Sequence, residues 1–303
     1  MKSTKAIGAR ILGLLLLAAE APEASAAPAP ERYVLMLRGA PCVELDDVRG
    51  GDPIPGVVSE QVPGEPMLKK RVGSIRTSEI SFDVSQRPCS AFNSWLRDSA
   101  TRPEGVRMDG SIVFVPADDG PLEQLDFLRA VFMEVQLPQL RLNDKSLRRT
   151  ISVTIKPEAI RKTRKGVARP LFQANGPLCV EDALLFKSTF LSGAYFDRVA
   201  LKWSPSSQPQ EIAGPITVSD LSITVPGAKA APLYDWHDEF IIWGRNGDDS
   251  ERFATIGCPS DKAFKIELGH LGIVSVAKES DEFGDQWVTA KFYIENVRIL
   301  LPD

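Results

Sequence analysis

The side chains that could do chemistry in this sequence are few and scattered. There are two histidines, His237 and His270, and four cysteines, Cys42, Cys89, Cys179 and Cys258. Two histidines exclude a multi-histidine metal centre. Trp236-His237-Asp238-Glu239 is the densest polar cluster. A metal or acid/base site needs such groups to converge. His237 has no second histidine one helical turn on, and His270 lies 33 residues away, so His237 is expected on a helix surface. Asn246-Gly-Asp248-Asp249-Ser-Glu251 offers oxygen ligands but not the calcium loop with its closing glutamate. It reads as a polar turn, as does Asp118-Asp119-Gly120. No GxSxG, GxGxxG or P-loop is present, and Ser81 and Ser222 fall on expected strands rather than on a nucleophile's strained turn. These patterns assign no catalytic, cofactor-binding or metal residue. A carboxylate-based hydrolase would need paired carboxylates in a cleft.

The cysteines depend on compartment. Met1 to Ala26 reads as a secretory signal peptide: Lys2, Lys5 and Arg10, then the apolar run Ile11–Ala19, then Ala24-Ser25-Ala26. The run is short of the roughly 20 residues a membrane helix needs. An uncleaved anchor is the other reading. The mature protein is therefore expected to be periplasmic or extracellular, without a stable membrane span. In an oxidising compartment an even cysteine count favours two disulfides over buried thiols. Cys42–Cys89 with Cys179–Cys258 would keep each half self-contained, although four cysteines allow three connectivities.

Composition is that of a globular protein, 43% hydrophobic and 25% charged. It excludes collagen, a disordered tail and a multi-span membrane protein. Charge divides unevenly. Residues 1–26 carry a net +1, residues 27–165 a net +2 and residues 166–303 a net −7. A half at −7 makes nucleic acid a poor partner. The basic group Arg161-Lys162-Arg164-Lys165 reads as a solvated linker.

The chain also looks as if one unit were written twice. Gly39-Ala-Pro-Cys42-Val43-Glu44 returns as Gly176-Pro-Leu-Cys179-Val180-Glu181, a shift of 137. Ile75–Phe82 returns as Ile216–Ile223, a shift of 141, and the same shift takes Phe92 and Trp95 to Leu233 and Trp236. Glu158-Ala-Ile160-Arg161 returns as Glu295-Asn-Val297-Arg298, again shifted by 137. Two domains are expected, 27–165 and 166–303, each of common domain size.

Each copy reads as strand, strand, helix, strand, strand, strand. Tyr33–Leu37 and Leu171–Ala174 open the copies. Ile75–Val84 and Ile216–Val225 alternate as half-buried strands. Phe92, Trp95 and Leu96 form a helical stripe, repeated as Leu233, Trp236 and Phe240. Gly110–Val115, Leu125–Leu137 and Ile151–Ile155 match Ala254–Ile256, Phe264–Val276 and Val288–Ile294. The tryptophans could line a sugar site, but at helical spacing they read as core. Leu35, Leu37, Phe82, Val84, Val113, Val153 and Ile155 join Phe92 and Trp95 in the first expected core. Phe172, Leu221, Ile223, Ile256, Phe292 and Ile294 join Leu233 and Trp236 in the second. The fold class is α+β, mainly β: two tandem domains, each an antiparallel sheet or small barrel with one packed helix.

This order resembles the tail tube proteins of contractile-tailed phages and the inner-tube proteins of bacterial injection machines. Ile75–Val84 is similar to the family's strand before its single helix, Phe92-Asn-Ser-Trp95-Leu96 to the helix core, and Gly110–Phe114 to the next strand. Phe127 to Pro138 is similar to the stretch ending in a proline, and Ile151–Arg161 to the closing strand. The resemblance covers most of 31–161 and, more weakly, 169–299. Single-copy family members lack the tandem and the export signal, and Ser275 stands where Pro138 would map. The resemblance implies a non-enzymatic structural protein, without cofactor or metal, whose copies join sheets into rings. Three chains could supply six domains, with the +2 and −7 halves alternating. The partner would then be the chain itself, within an envelope or extracellular assembly. The alternative is a monomeric secreted or periplasmic binding module for a protein or glycan.

Overall fold

The structure is a computed structural model. It describes residues 31–63, 66–102, 105–117, 120–137, 150–164, 167–172, 176, 185–188, 191, 195–196, 200–203, 216–257, 265–280 and 286–300. The expected signal peptide, Asp118-Asp119, Cys179 and Cys258 lie outside the described residues.

The chain is mostly strand. In order it forms β1 Arg32–Leu37, β2 Ala40–Gly50, β3 Pro53–Glu60, β4 Lys69–Thr77, β5 Ile80–Val84, helix α1 Ser90–Thr101, β6 Met108–Val115, β7 Glu123–Gln136, β8 Ile151–Lys156 and β9 Ala159–Thr163. Then come β10 Leu185–Ser188, β11 Tyr195–Phe196, β12 Ala200–Trp203, β13 Ile216–Val218, β14 Leu221–Pro226, helix α2 Ala231–His237, β15 Arg252–Gly257, β16 Lys265–Ser280 and β17 Gln286–Leu300. A π-helical turn, Asp238–Ile242, continues α2.

The first sheet closes on itself. Its neighbours run β6-β1-β2-β5-β8-β7, and β7 also pairs with β6. That is a six-stranded antiparallel barrel, with no free edge around its circuit. The β1–β2 hairpin turns at Arg38-Gly39, both at positive φ (52° and 77°), the conformation a two-residue hairpin loop requires. The second sheet runs β10-β15-β16-β17-β14-β11, a half-barrel. Some register pairs correspond between the two. Phe127 faces Ile160 across β7–β9, and Leu268 faces Val297 across β16–β17. Phe82 faces Val153, and Ile223 faces Ala290. Each of these pairs is offset by the 141 and 137 read from the sequence.

Apolar alternation explains the core. Ile80, Phe82 and Val84 are buried in β5, as are Leu221, Ile223 and Val225 in β14. Helix α1 buries Phe92, Trp95 and Leu96. Trp95 packs on Phe132 with ring centroids 4.1 Å apart. In the second sheet Trp236 stacks on Phe292 at 5.4 Å. All the expected first-half core residues are buried.

Several expectations need correction. Ile75–Val84 is not one strand. It breaks at Ser78-Glu79, where the Ser78 N–H donates to the Asp52 carbonyl at 3.0 Å and the Gly51 N–H to the Glu79 carbonyl at 3.2 Å. Ile216–Val225 breaks at the same place, between β13 and β14. The short strand pairing with β15 is β10, whereas Leu171 and Phe172 lie outside any strand. Phe172 packs on a small cluster of Val34, Val113 and Val115 rather than on the second half's core. Arg161 and Lys162 belong to β9, not to a linker. Arg161 pairs with Asp126 at 3.1 Å, Lys162 with Asp52 at 2.6 Å and Arg164 with Glu123 at 3.0 Å. Ser275 follows a bulge in β16 as Glu134 does in β7, so its partner in the alignment is Glu134 and not Pro138.

Candidate assembly interface

The two halves meet through backbone and helix. The β12–β13 hairpin leaves the second half and lays β12 antiparallel on β7, pairing Ala200 with Gln136, Leu201 with Val135 and Lys202 with Glu134. Those β7 residues follow the bulge between Phe132 and Glu134 and pair on their other side with β8. The first half's sheet thus continues into a strand of the second. Helix α1 completes the joint by packing against β17 as well as β7.

A second hairpin projects from the first half. Among the described residues, strands β3 and β4 pair only with each other. Lys162 Nζ holds Asp52 at the base of the hairpin. Ile54, Val57, Val58, Val72 and Ile75 along it are all more than half exposed. Val57 faces Val72 while Val58 lies on the opposite face over Gly73, so the arm carries apolar side chains on both faces, and two strands alone are marginal in water. A second apolar patch caps α2, where Ile241, Ile242 and Trp243 are exposed.

One polar constellation was not legible in sequence. Glu251 sits just before β15 with its side chain 6% exposed. Its Oε2 lies 2.7 Å from His270 Nδ1, and its Oε1 accepts a hydrogen bond from the Tyr293 hydroxyl at 2.7 Å. Ligand atoms of Glu251, His270 and Glu295 lie within 4.8 Å of one another. That donor set suits a divalent cation in kind; here the Glu251 oxygens are engaged by imidazole and phenol. Burial, then the Glu251 hydrogen bond, pushes the Tyr293 phenol up to about 12. The first half has two arginines around a carboxylate at the corresponding place. Arg107 and Arg129 hold Glu158 at 3.2 and 2.7 Å, and both arginines line a cavity of about 580 Å³ with Arg38, Met108 and Asp109. Arg129 and His270 occupy matching bulges, at φ 50° and 53°.

The other sequence candidates separate. Cys42 and Cys89 form a disulfide, Cα–Cα 4.8 Å, joining β2 to the start of α1. His237 is half-buried at the end of α2, 3.7 Å from Asp238. Asn246 to Ser250 form a polar loop and turn, but Glu251 beside them turns inward. Trp95 and Trp236 are core residues, 1% exposed each. Spacing could not have joined Glu251, His270 and Tyr293, because they come from three elements.

No family model matches the chain, and no curated protein matches it. Among solved structures it is similar to the sheath/tube terminator of an extracellular contractile injection system, PVC, in its extended state. That likeness has TM-score 0.37 at 12% identity, over 44% of this chain and 93% of that one. It is also similar to the tube-terminating cap of the anti-feeding prophage, with TM-score 0.37 at 13% identity, over 44% of this chain and 88% of that one.

Proposed function

We propose that the chain is an exported, non-enzymatic structural protein built from two tandem tail-tube-like units, residues 27–165 and 166–303, that assembles with copies of itself. The observation that carries this reading is the β12–β7 pairing, in which one unit extends the sheet of the other. A joint made of main-chain hydrogen bonds between two units is one that further units can repeat. The units carry net charges of +2 and −7, which favours alternation over contacts between like units. Three chains would then close a ring of six units.

Light scattering on the mature protein after size exclusion, followed by negative-stain imaging, tests this. A trimer or a ring is expected. A monomer at micromolar concentration would overturn self-assembly and leave a binding module for a protein or glycan, since the internal joint is already complete within one chain.

A further inference from the structure

We propose that the chain carries a second, head-to-tail joint on the counterparts of the surfaces its internal joint uses: the β3–β4 arm of one chain docks on the α2 end and the β16 edge of a second copy. This rests on the tandem-unit reading and names the surfaces that reading leaves open.

The internal joint has a donor and a receiver. The donor is the hairpin between β11 and β14; the receiver is β7 beyond its bulge, together with α1. Each has a counterpart facing the other way. The β3–β4 hairpin lies between β2 and β5 as β12–β13 lies between β11 and β14. Strand β16 has its own bulge between Ile273 and Ser275 and runs on to Ser280. On the far side from β17, its pairing with β15 stops at Leu271 among the described residues. Helix α2 stands where α1 stands.

Exposed apolar side chains concentrate on these surfaces. Eleven of the fourteen exposed large hydrophobics among the described residues lie on the β3–β4 hairpin with its connecting turn, at the end of α2, or at Val274 in β16. Val57, Val58 and Val72 represent the arm; Ile242, Trp243 and Val274 represent the receiver. Net charge agrees: β4 begins Lys69-Lys70-Arg71, of which Arg71 is held by Glu60 of the same arm, and the receiving half is net acidic, with Glu279 beside Lys278 on β16. Pro53 and Pro55 deny β3 two N–H donors, so this arm docks through its apolar side chains more than through a continued ladder. The contact is heterologous: it closes a ring if the rotation fits and otherwise makes a filament.

The test uses two variants, Val58→Asp with Val72→Asp on the arm, and Ile242→Asp with Trp243→Asp on the receiver. All four positions are exposed, so circular dichroism and Tm should match wild type. If Trp243→Asp lowers Tm, Ile242→Ser alone replaces that variant. Each variant should weaken assembly by about tenfold or more and run as a monomer where wild type assembles. Mixed in equal amounts they should form a heterodimer, since one intact arm then meets one intact receiver. Rings persisting in both variants would overturn the proposal while leaving self-assembly standing, as would a receiver variant that dimerises alone through arm-to-arm contact. A monomeric wild type would instead remove the assembly reading itself.

Discussion

Trp95 and Trp236 make the same bond in two different sheets. The Trp95 indole N–H donates to the Val106 carbonyl at 2.6 Å, two residues before β6. The Trp236 indole N–H donates to the Ser250 carbonyl at 3.2 Å, two residues before β15. Each tryptophan fills the space under its sheet and also ties down the loop leaving its helix, because a buried indole needs an acceptor. At Trp236 the Arg252 guanidinium lies 4.6 Å from the ring centroid, and burial lowers its pKa from the usual arginine value.

Trp95→Ala should therefore destabilise the protein by about 3–5 kcal/mol, read as a fall in denaturant midpoint. Trp95→Phe keeps most of the packing and leaves Val106 without its donor, at about 1–3 kcal/mol. Equal losses from the two variants would mean that packing contributes little at this site.

The Cys42–Cys89 bond fastens β2 to the helix start across 47 residues. Replacing both cysteines by alanine should cost about 2–4 kcal/mol in oxidising buffer. The remaining cysteines are expected to pair with each other. Non-reducing peptide mapping checks both points, and a Cys179 peptide joined to anything but Cys258 would reject the second pair.

Tyr293 faces Gly272 across β16–β17, and a Cβ at Gly272 would overlap the phenol ring. The ring has no easy escape because its hydroxyl is held by Glu251. Gly272→Ala should cost about 1–3 kcal/mol as overpacking. The same change should release the phenol, so the tyrosine titration reports it independently of stability.

That titration has a definite sign. Burial, then the Glu251 hydrogen bond and charge, raises the Tyr293 phenol from 10.0 to about 12. Its stabilising contribution is complete below about 10 and is lost as pH rises through about 12. Ultraviolet titration should show a late-ionising step from Tyr293, and Tyr293→Phe should remove that step. Glu251→Gln should bring the step down without restoring the ordinary value, since burial, the larger cause, remains.

The surface pairs should matter less. Arg161 is 80% exposed beside Asp126, and Arg161→Ala should change stability by about 0–1 kcal/mol, less at high salt. A larger, salt-independent loss would show that β9 depends on this pair to stay on β7.

The helices and the barrel strands were readable because their apolar residues recur at fixed local spacing. Phe92, Trp95 and Leu96 mark α1, and Ile80, Phe82 and Val84 mark β5. The arms were not readable. Their valines and isoleucines alternate like any strand's, and only the backbone break at Ser78 shows that Ile75 leaves the barrel while Ile80 stays in it. The same local view took Arg161 and Lys162 for linker residues, because their carboxylate partners Asp126 and Asp52 lie 35 and 110 positions away.

By itself the sequence determined the strand-rich character and the two helices with their tryptophans. These follow from periodicity, which is a property of neighbours along the chain. Only the tertiary structure decided which sheet closes, that β12 crosses to β7, that Cys42 meets Cys89, and that Glu251, His270 and Tyr293 share one site. Those relationships are between residues far apart in the chain. Loop closure and packing of the whole molecule set them, and no local preference encodes them.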